Sequence, residues 1–355
     1  MKSLLLTAFL LALCNVNVHA GESAPLRQKL EELQATVTES TAPVTLVENG
    51  PPLRKGSDGT RVLHLRARLL ELGYEVEPTG IFDTRLLHTV QRFQEDNGLT
   101  PDGIVDRQTR FNLNLSNAER IRIIRAQLPR MEEIETTEGN NPYLVVNIPA
   151  FTLHAYDEGR RVLESRVIVG RPQRPTPLMR SELAGIKYNP PWVPPPTIVK
   201  EDILKEKKVD PAYLEDHGLL VLDAKGRAVD PANLTAEDLQ RNGYRFYQPP
   251  GDKNALGRLK FELENSFSVY LHDTNQQSLF KRENRAFSSG CVRVEKYREL
   301  AAWLTGGTVE DIETAIRKKD TRTETVAPVP VYFVYWLADM VNGKVVFFSD
   351  IYRQD

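Results

Sequence analysis

The sequence predicts an α+β protein: a small three-helix unit, then a mainly antiparallel β-sheet domain with an insertion. Three observations predict it. Between residues 54 and 115, apolar residues recur at helical spacing: first Val62, Leu65, Leu69 and Leu72, then Leu86, Leu87, Val90 and Phe93. From Tyr143 the period changes to that of strands, with a buried run at Tyr143–Ile148 and an alternating one at Phe151–Tyr156. Between two groups of strands lies a polar stretch of mixed pattern, residues 200–250, which is too long for a plain connection.

The elements follow in order. Residues 1–20 (MKSLLLTAFLLALCNVNVHA) have one basic residue, Lys2, then an apolar run from Leu4 to Cys14, then Val18-His19-Ala20. That is the pattern of a signal peptide cleaved after Ala20, and the run is too short to span a bilayer. Residues 21–53 read as a short amphipathic helix and a linker.

The unit 54–115 contains an echo, Gly80-Ile81-Phe82-Asp83 and Gly103-Ile104-Val105-Asp106. In each copy the glycine turns the chain, the apolar pair enters the core and the aspartate caps the next helix. Residues 116–141 form a charged helical connector.

The region 142–355 continues with a hairpin through Asp157–Gly159, pairing Val162–Val169 back. Lys187–Thr197 (KYNPPWVPPPT) holds too many prolines for a helix or a central strand. The segment 200–250 reads as an inserted lid with one short strand at 219–223. Strands resume at Leu259–Leu263 and Ser268–His272. Two helices follow, one running to Leu304 and stopping at Gly306-Gly307, the other starting at Thr308 with a capping-box-like Asp311. The end reads as a hairpin of Val331–Leu337 and Val345–Phe348, turning at Asn342-Gly343.

Composition narrows the function. A net charge of −2 gives no basic excess for nucleic acid. No further apolar run is long enough to cross a membrane. The chain has 2 cysteines, Cys14 and Cys291, and leader cleavage leaves Cys291 alone outside the cytoplasm. A lone cysteine there is buried, paired with another chain or chemically used.

Cys291 lies in Ser288-Ser289-Gly290-Cys291-Val292-Arg293, a polar, glycine-containing turn. A nucleophilic thiol needs a base, nearby positive charge and access. Arg293 supplies charge for thiolate stabilisation and shapes the site, or else forms a structural ion pair. The helix expected a few residues on would add its N-terminal N–H groups. Gly290 lets a carbonyl substrate approach, and the N–H groups of Gly290 and Cys291 are oxyanion-hole candidates. The base comes from His64, His88, His154, His217 or His272, and His272 ends a strand shortly before the cysteine. Ser288 and Ser289 read as hydrogen-bond formers in the turn. Nothing asks for a metal or an organic cofactor: there is no second cysteine and no His pair at helical spacing.

Two resemblances sharpen this. Gly56-x-x-Gly59, Val62-x-x-Leu65, Leu69-x-x-Leu72-Gly73-Tyr74, Gly80-x-Phe82-Asp83, Val90-x-x-Phe93-Gln94, Gly98-Leu99 and Asp102-Gly103-x-Val105-Asp106-x-x-Thr109 resemble the peptidoglycan-binding domain type 1 family. The resemblance implies binding to glycan strands or stem peptides. Tyr270-Leu-His-Asp-Thr274 with Phe287-Ser-Ser-Gly-Cys-Val-Arg-Val294 resembles the active-site signature of the L,D-transpeptidases (YkuD domain). So do the blocks at Val146–Pro149, Val169-Gly170, Thr176-Pro177, Asn189–Pro195 and Asn254–Lys260, with Tyr335-Trp336 and Asp350–Tyr352. These extra blocks look like the YcbB-type subgroup of the Gram-negative periplasm. Two positions depart from the family pattern, Ser289 where many members have histidine and Asp273 where many have glycine. The single remaining imidazole, His272, then needs an orienting partner, and a backbone carbonyl is the expected one.

The resemblance implies that Cys291 attacks the bond between diaminopimelate and D-Ala of a tetrapeptide stem. His272 is the proton donor and acceptor, and transfer to another stem makes a 3→3 cross-link. Trp192, Arg258, Tyr270 and Ser289 are implied substrate-groove residues, and 200–250 a cap over them. Peptidoglycan stems and glycan strands are the implied partners, with other cell-wall synthesis enzymes. A carbapenem is implied to acylate Cys291. Alternatives stay open: an L,D-carboxypeptidase or endopeptidase, a lipoprotein-anchoring enzyme, or a non-catalytic peptidoglycan-binding scaffold.

Overall fold

A computed structural model describes residues 21–36, 44–204, 210–241 and 243–352. The leader expected over residues 1–20 lies outside the described residues.

The helical part comprises α1 (Ser23–Thr36), α2 (Thr60–Glu71), α3 (Thr84–Asp96), α4 (Arg107–Asn114) and α5 (Asn117–Glu138). Helices α2 to α4 close around Val62, Leu65, Leu69, Phe82, Leu86, Val90, Phe93 and Val105, all buried. Both echo aspartates cap as expected: Asp83 accepts the Leu86 N–H at 2.8 Å and Asp106 the Thr109 N–H at 2.7 Å. Each cap satisfies a helix-start donor that would otherwise be orphaned.

The flanking pieces are less independent than a linker and a connector. Leu26 and Leu33 of α1 pack with Ile124, Leu128 and Met131 of α5 in one buried cluster. A capping box from Ser116 and Glu119 starts α5.

The second half contains β1 (Tyr143–Asn147), β2 (Thr152–Asp157), β3 (Arg160–Gly170) and β4 (Met179–Tyr188). Next come α6 (Pro196–Ile198), α7 (Pro211–Asp216), β5 (Leu220–Leu222), β6 (Ala228–Val229), α8 (Ala236–Arg241) and β7 (Arg245–Tyr247). The main sheet resumes with β8 (Leu259–Leu263), β9 (Leu271–His272), β10 (Ala286–Ser288) and β11 (Val292–Val294). Helices α9 (Tyr297–Thr305) and α10 (Val309–Arg317), then β12 (Arg322–Val334), β13 (Ala338–Val341) and β14 (Lys344–Phe347), complete the chain.

The main sheet has the order β10-β3-β11-β9-β8-β4-β12-β1-β2, and β2 also pairs with β3, so the strand order returns on itself. Most pairings are antiparallel; β1–β12, β3–β10 and β9–β11 are parallel. Strand β1 is buried on both faces, which explains its continuous apolar run. Leu144 and Val146 join the core under α9 and α10, while Tyr143 and Val145 face α1 and α5.

Two expectations are corrected. Val331–Leu337 is not one arm of the terminal hairpin. Most of it belongs to β12, a central strand between β4 and β1, and the hairpin is β13–β14. Prolines at 328 and 330 masked β12, yet its ladder accommodates them next to a register shift between Thr325 and Val329. The strand expected at Ser268–His272 shrinks to two residues. Asn265 Oδ1 accepts the N–H groups of Phe267 and Val269 and folds that segment into a turn, with Ser268 at φ +58. The helix expected a few residues after Cys291 is α9, and strand β11 runs between them. Val292 and Val294 alternate into the core, and α9 starts only at Tyr297.

The insertion between β4 and β8 has its own core of Ile203, Leu204, Leu214, Val221, Leu239 and Phe246 around the small β6-β5-β7 sheet. Its neck is a two-way bridge between Trp192 and Gln248, with N–H···O contacts of 2.9 and 2.7 Å.

The helical unit docks on the β domain through α4. Asn112 Nδ2 donates to the Phe347 carbonyl at 2.8 Å, and the Gln108 N–H to Glu283 Oε1 at 3.2 Å.

Candidate active site

The parallel ladder of β9 and β11 sets the site. Leu271 pairs with Val292, and both enter the core. His272 pairs with Arg293. Side chains alternate along a strand, so Tyr270, His272, Cys291 and Arg293 share the opposite face. On that face Cys291 lies diagonal to His272. Lys260 of β8, the antiparallel partner of His272, joins them.

Burial dominates the electrostatics. The Cys291 thiol is pushed above its ordinary value by burial; Tyr270, Lys260 and Arg293 oppose the shift without cancelling it. Arg293 thus acts in the direction expected for thiolate stabilisation, but desolvation wins. His272 is depressed to about 3, chiefly by burial and then by the Arg293 charge. Both groups are therefore neutral at rest, a thiol and an imidazole on one face of the ladder.

Proton positions follow. His272 Nδ1 meets the Asp273 carbonyl, which can only accept, so Nδ1 carries the hydrogen and Nε2 keeps its lone pair. The orienting group is a backbone carbonyl. The Asp273 carboxylate turns away to the Arg258 N–H at 2.8 Å and to Gln277 at 2.7 Å.

The sulfur has three close polar neighbours. It lies 3.8 Å from the Ser268 carbonyl, in the turn that Asn265 holds. The Tyr270 backbone N–H and hydroxyl also hydrogen-bond to it, and the Trp192 side chain reaches the same hydroxyl. Trp192 thereby links the neck of the insertion, through Tyr270, to the Cys291 sulfur.

Gly290 has φ +117, a conformation open to glycine but costly for other residues. Its N–H donates to Ser288 Oγ at 3.1 Å, and the Ser288 hydroxyl donates to the Cys291 carbonyl at 2.5 Å. The oxyanion role expected of Gly290 narrows accordingly. Of the two candidate amides only the Cys291 N–H meets no acceptor among the described residues.

The other expected residues divide. Ser289 Oγ accepts from Arg174 Nη1 at 2.9 Å, and Arg174 also pairs with Glu201 and Asp202 at the base of the insertion. The ion pair held open for Arg293 is not seen among the described residues; its partners are neutral, Gln276 Oε1 at 2.8 Å and Thr274 Oγ1 at 3.4 Å. Arg258 pairs with Asp252 and has no contact with Cys291, Tyr270 or Trp192 among the described residues. His64 and His217 engage Glu48 and Tyr213, and His154 is buried on β2.

Sequence reasoning missed Arg174 and Asn265. Neither carries a local signal, because each acts on a segment distant in the chain or through a turn.

A groove of about 570 Å³ is lined by Gly185, Lys260, Glu262, Glu264, Ser268 and Tyr270, two of which, Ser268 and Tyr270, also neighbour the sulfur. Lys260 Nζ lies 4.5 Å from the Tyr270 ring centre. A cleft of about 650 Å³ between α5 and β12 contains none of the expected site residues.

Both halves of the chain are similar to known proteins. Residues 58–110 match the family described as "Putative peptidoglycan binding domain". A Haemophilus influenzae protein named "Putative L,D-transpeptidase" is 43% identical over 220 residues, 60% of this chain and 44% of that protein. The chain thus spans less than half of that relative. Solved structures with low overlap include an L,D-transpeptidase fragment from Xylanimonas cellulosilytica, with 16% identity and TM-score 0.26 over 83% of this chain and 100% of that one. An L,D-transpeptidase from Mycobacterium smegmatis has 14% identity and TM-score 0.25 over 54% of this chain and 58% of that one. The L,D-transpeptidase catalytic domain profile, YkuD, covers residues 141–329, more than half of the chain. The chain belongs to the YkuD family of L,D-transpeptidase catalytic domains.

Proposed function

We propose that this protein is a cysteine L,D-transpeptidase that makes 3→3 cross-links in peptidoglycan. The observation that carries the reading is the shared face of Cys291 and His272, with His272 Nδ1 fixed on a carbonyl and Nε2 left as a base.

The thiol sulfur attacks the carbonyl carbon of the diaminopimelate–D-Ala bond as His272 Nε2 takes its proton. Attack and proton transfer occur together, because neither the thiolate nor the imidazolium is favoured beforehand. The carbonyl π electrons move to oxygen, where the Cys291 N–H donates to the oxyanion. The C–N bond then breaks, and His272 returns the proton to the leaving D-Ala nitrogen. A thioester remains. The side-chain amine of a second stem attacks it, loses a proton to His272, and expels the sulfur, which regains that proton. Tyr270 steadies charge on sulfur through both steps.

In this reading the insertion covers the groove, with its neck at Trp192 and its base held by Arg174. Residues 54–115 hold glycan strands or stem peptides, and other cell-wall synthesis enzymes supply tetrapeptide stems. The protein works in the periplasm after removal of residues 1–20. No described helix is long and apolar enough to cross a membrane.

The test is incubation with purified sacculi rich in tetrapeptide stems, followed by mass spectrometry of the digest. The expected result is D-Ala release with 3→3 dimers, both absent with Cys291→Ala. D-Ala release without dimers would move the reading to a carboxypeptidase. Equal product from Cys291→Ala would overturn the cysteine mechanism. A carbapenem adduct mapped to Cys291 is the expected direct mark of the nucleophile.

A further inference from the structure

The Cys291 N–H can serve an oxyanion only if its peptide plane is held. In a trans peptide the C=O and the next N–H point in opposite directions, so the Gly290 carbonyl sets the direction of the Cys291 N–H. That carbonyl is held by one side chain. Thr176 Oγ1 lies 2.8 Å from the Gly290 oxygen and 2.9 Å from the Gly170 nitrogen. The Gly170 N–H can only donate and the Gly290 oxygen can only accept, so the hydroxyl proton points at Gly290. Thr176 is 2% exposed, and water is poorly placed to replace it.

Thr176 is itself fixed. Its N–H donates to Tyr352 Oη at 3.1 Å, and the Tyr352 hydroxyl donates to the Gly170 carbonyl at 2.6 Å. The Tyr352 ring stacks on Tyr335, with centroids 5.6 Å apart. The loop between Gly170 and Thr176 folds so tightly that a Cβ on Gly170 would stand 2.2 Å from the Arg174 carbonyl oxygen. From the same loop Arg174 holds Ser289. The loop therefore grips the nucleophile turn at two successive residues.

We propose that Thr176 is a positioning residue that aims the Cys291 N–H at the oxyanion, with Tyr352 holding Thr176 in place. The inference rests on the reading that Cys291 is acylated by a stem peptide. Removing an oxyanion donor costs roughly 100- to 1,000-fold in turnover, and misaiming one should cost less, about 10- to 100-fold.

The experiment compares wild type, Thr176→Val, Thr176→Ser and Tyr352→Phe in the full chain. D-Ala release from a soluble disaccharide-tetrapeptide gives kcat and KM. Iodoacetamide alkylation of Cys291 gives a second rate, for a displacement that forms no oxyanion. Thr176→Val is expected to lower kcat by about 10- to 100-fold with KM within about threefold and alkylation within about twofold. Thr176→Ser should restore most of kcat, and Tyr352→Phe should lower it in the same sense but less. Wild-type turnover with an undiminished Thr176→Val kcat overturns the inference alone. So does a parallel fall of turnover and alkylation that serine does not rescue, which marks a merely structural role. Absence of D-Ala release from wild type overturns the inference together with the reaction on which it rests.

Discussion

Arg293 stands directly across the β9–β11 ladder from His272, on the face that also carries Cys291. A cation there disfavours a second one on the imidazole, and burial disfavours it further. The neutral thiol–imidazole pair is the consequence, and it sets how the site responds to pH.

Cys291 should behave as a protonated thiol at neutral pH. Its iodoacetamide alkylation rate is expected to be low at neutral pH and to keep climbing with pH into the alkaline range, following the upward shift of the thiol. A plateau of fast alkylation at pH 5 to 7 would indicate a preformed thiolate and would sink the neutral-pair description.

Arg293→Met should raise the His272 pKa, because the second-largest cause of its depression is removed. The acid limb of the pH–rate profile for D-Ala release should then move to higher pH. An unmoved limb with intact folding would show that burial alone sets the imidazole.

Tyr270→Phe removes the hydroxyl that hydrogen-bonds to the sulfur. Turnover should fall by roughly tenfold, in line with one lost hydrogen bond to a charged group at about 1.5 kcal/mol or more. The thiol pKa, followed by thiolate absorbance, should rise. Trp192→Phe should act in the same direction with a smaller effect, since it reaches the sulfur only through Tyr270.

Acid should destabilise the fold through two buried histidines. His154 and His272 are both depressed to about 3, so each stays neutral in the folded protein while its unfolded counterpart binds a proton below about pH 6.5. The stability they contribute is fully present above pH 6.5 and is lost as pH falls toward 3. His154→Gln, outside the site, should flatten the fall of the denaturation midpoint between pH 6.5 and 4. An unchanged slope would refute the assignment.

The interface between the helical unit and the β domain should weaken as pH rises. Glu283 of the β domain accepts the Gln108 N–H at the start of α4, beside the capping Asp106. Burial and then the neighbouring Asp106 charge raise the Glu283 carboxyl to about 7, while Arg107 acts the other way. A raised folded-state value means a contribution fully present below about pH 4.5 and lost as pH rises through about 7. Hydrogen exchange at the start of α4 should accelerate across that window, and Glu283→Gln should remove the dependence. Exchange that is independent of pH beyond the intrinsic chemistry would count against a raised Glu283 carboxyl.

Local patterns were enough for much of this protein. The Gly-x-x-Asp echo encoded two helix starts, because an N-cap is a contact within three residues. The alternation of Val292 and Val294 encoded a strand beside Cys291, ahead of the helix expected a few residues on. The candidate nucleophile was legible from its residue type and turn, while the base was left open among five histidines until the resemblance to L,D-transpeptidases singled out His272. Strand β12 was not legible, because its prolines break the local pattern that partners on both sides restore.

By itself the sequence determined the order of helical unit and β domain, the place of Cys291 and the glycine before it. Only the tertiary structure decided the chemistry around that cysteine. The β9–β11 register puts Arg293 opposite His272, burial sets both protonation states, and Thr176, more than a hundred residues away in the chain, holds the Gly290 carbonyl. Charge, desolvation and peptide orientation depend on distances between segments, and those distances exist only once the sheet has closed.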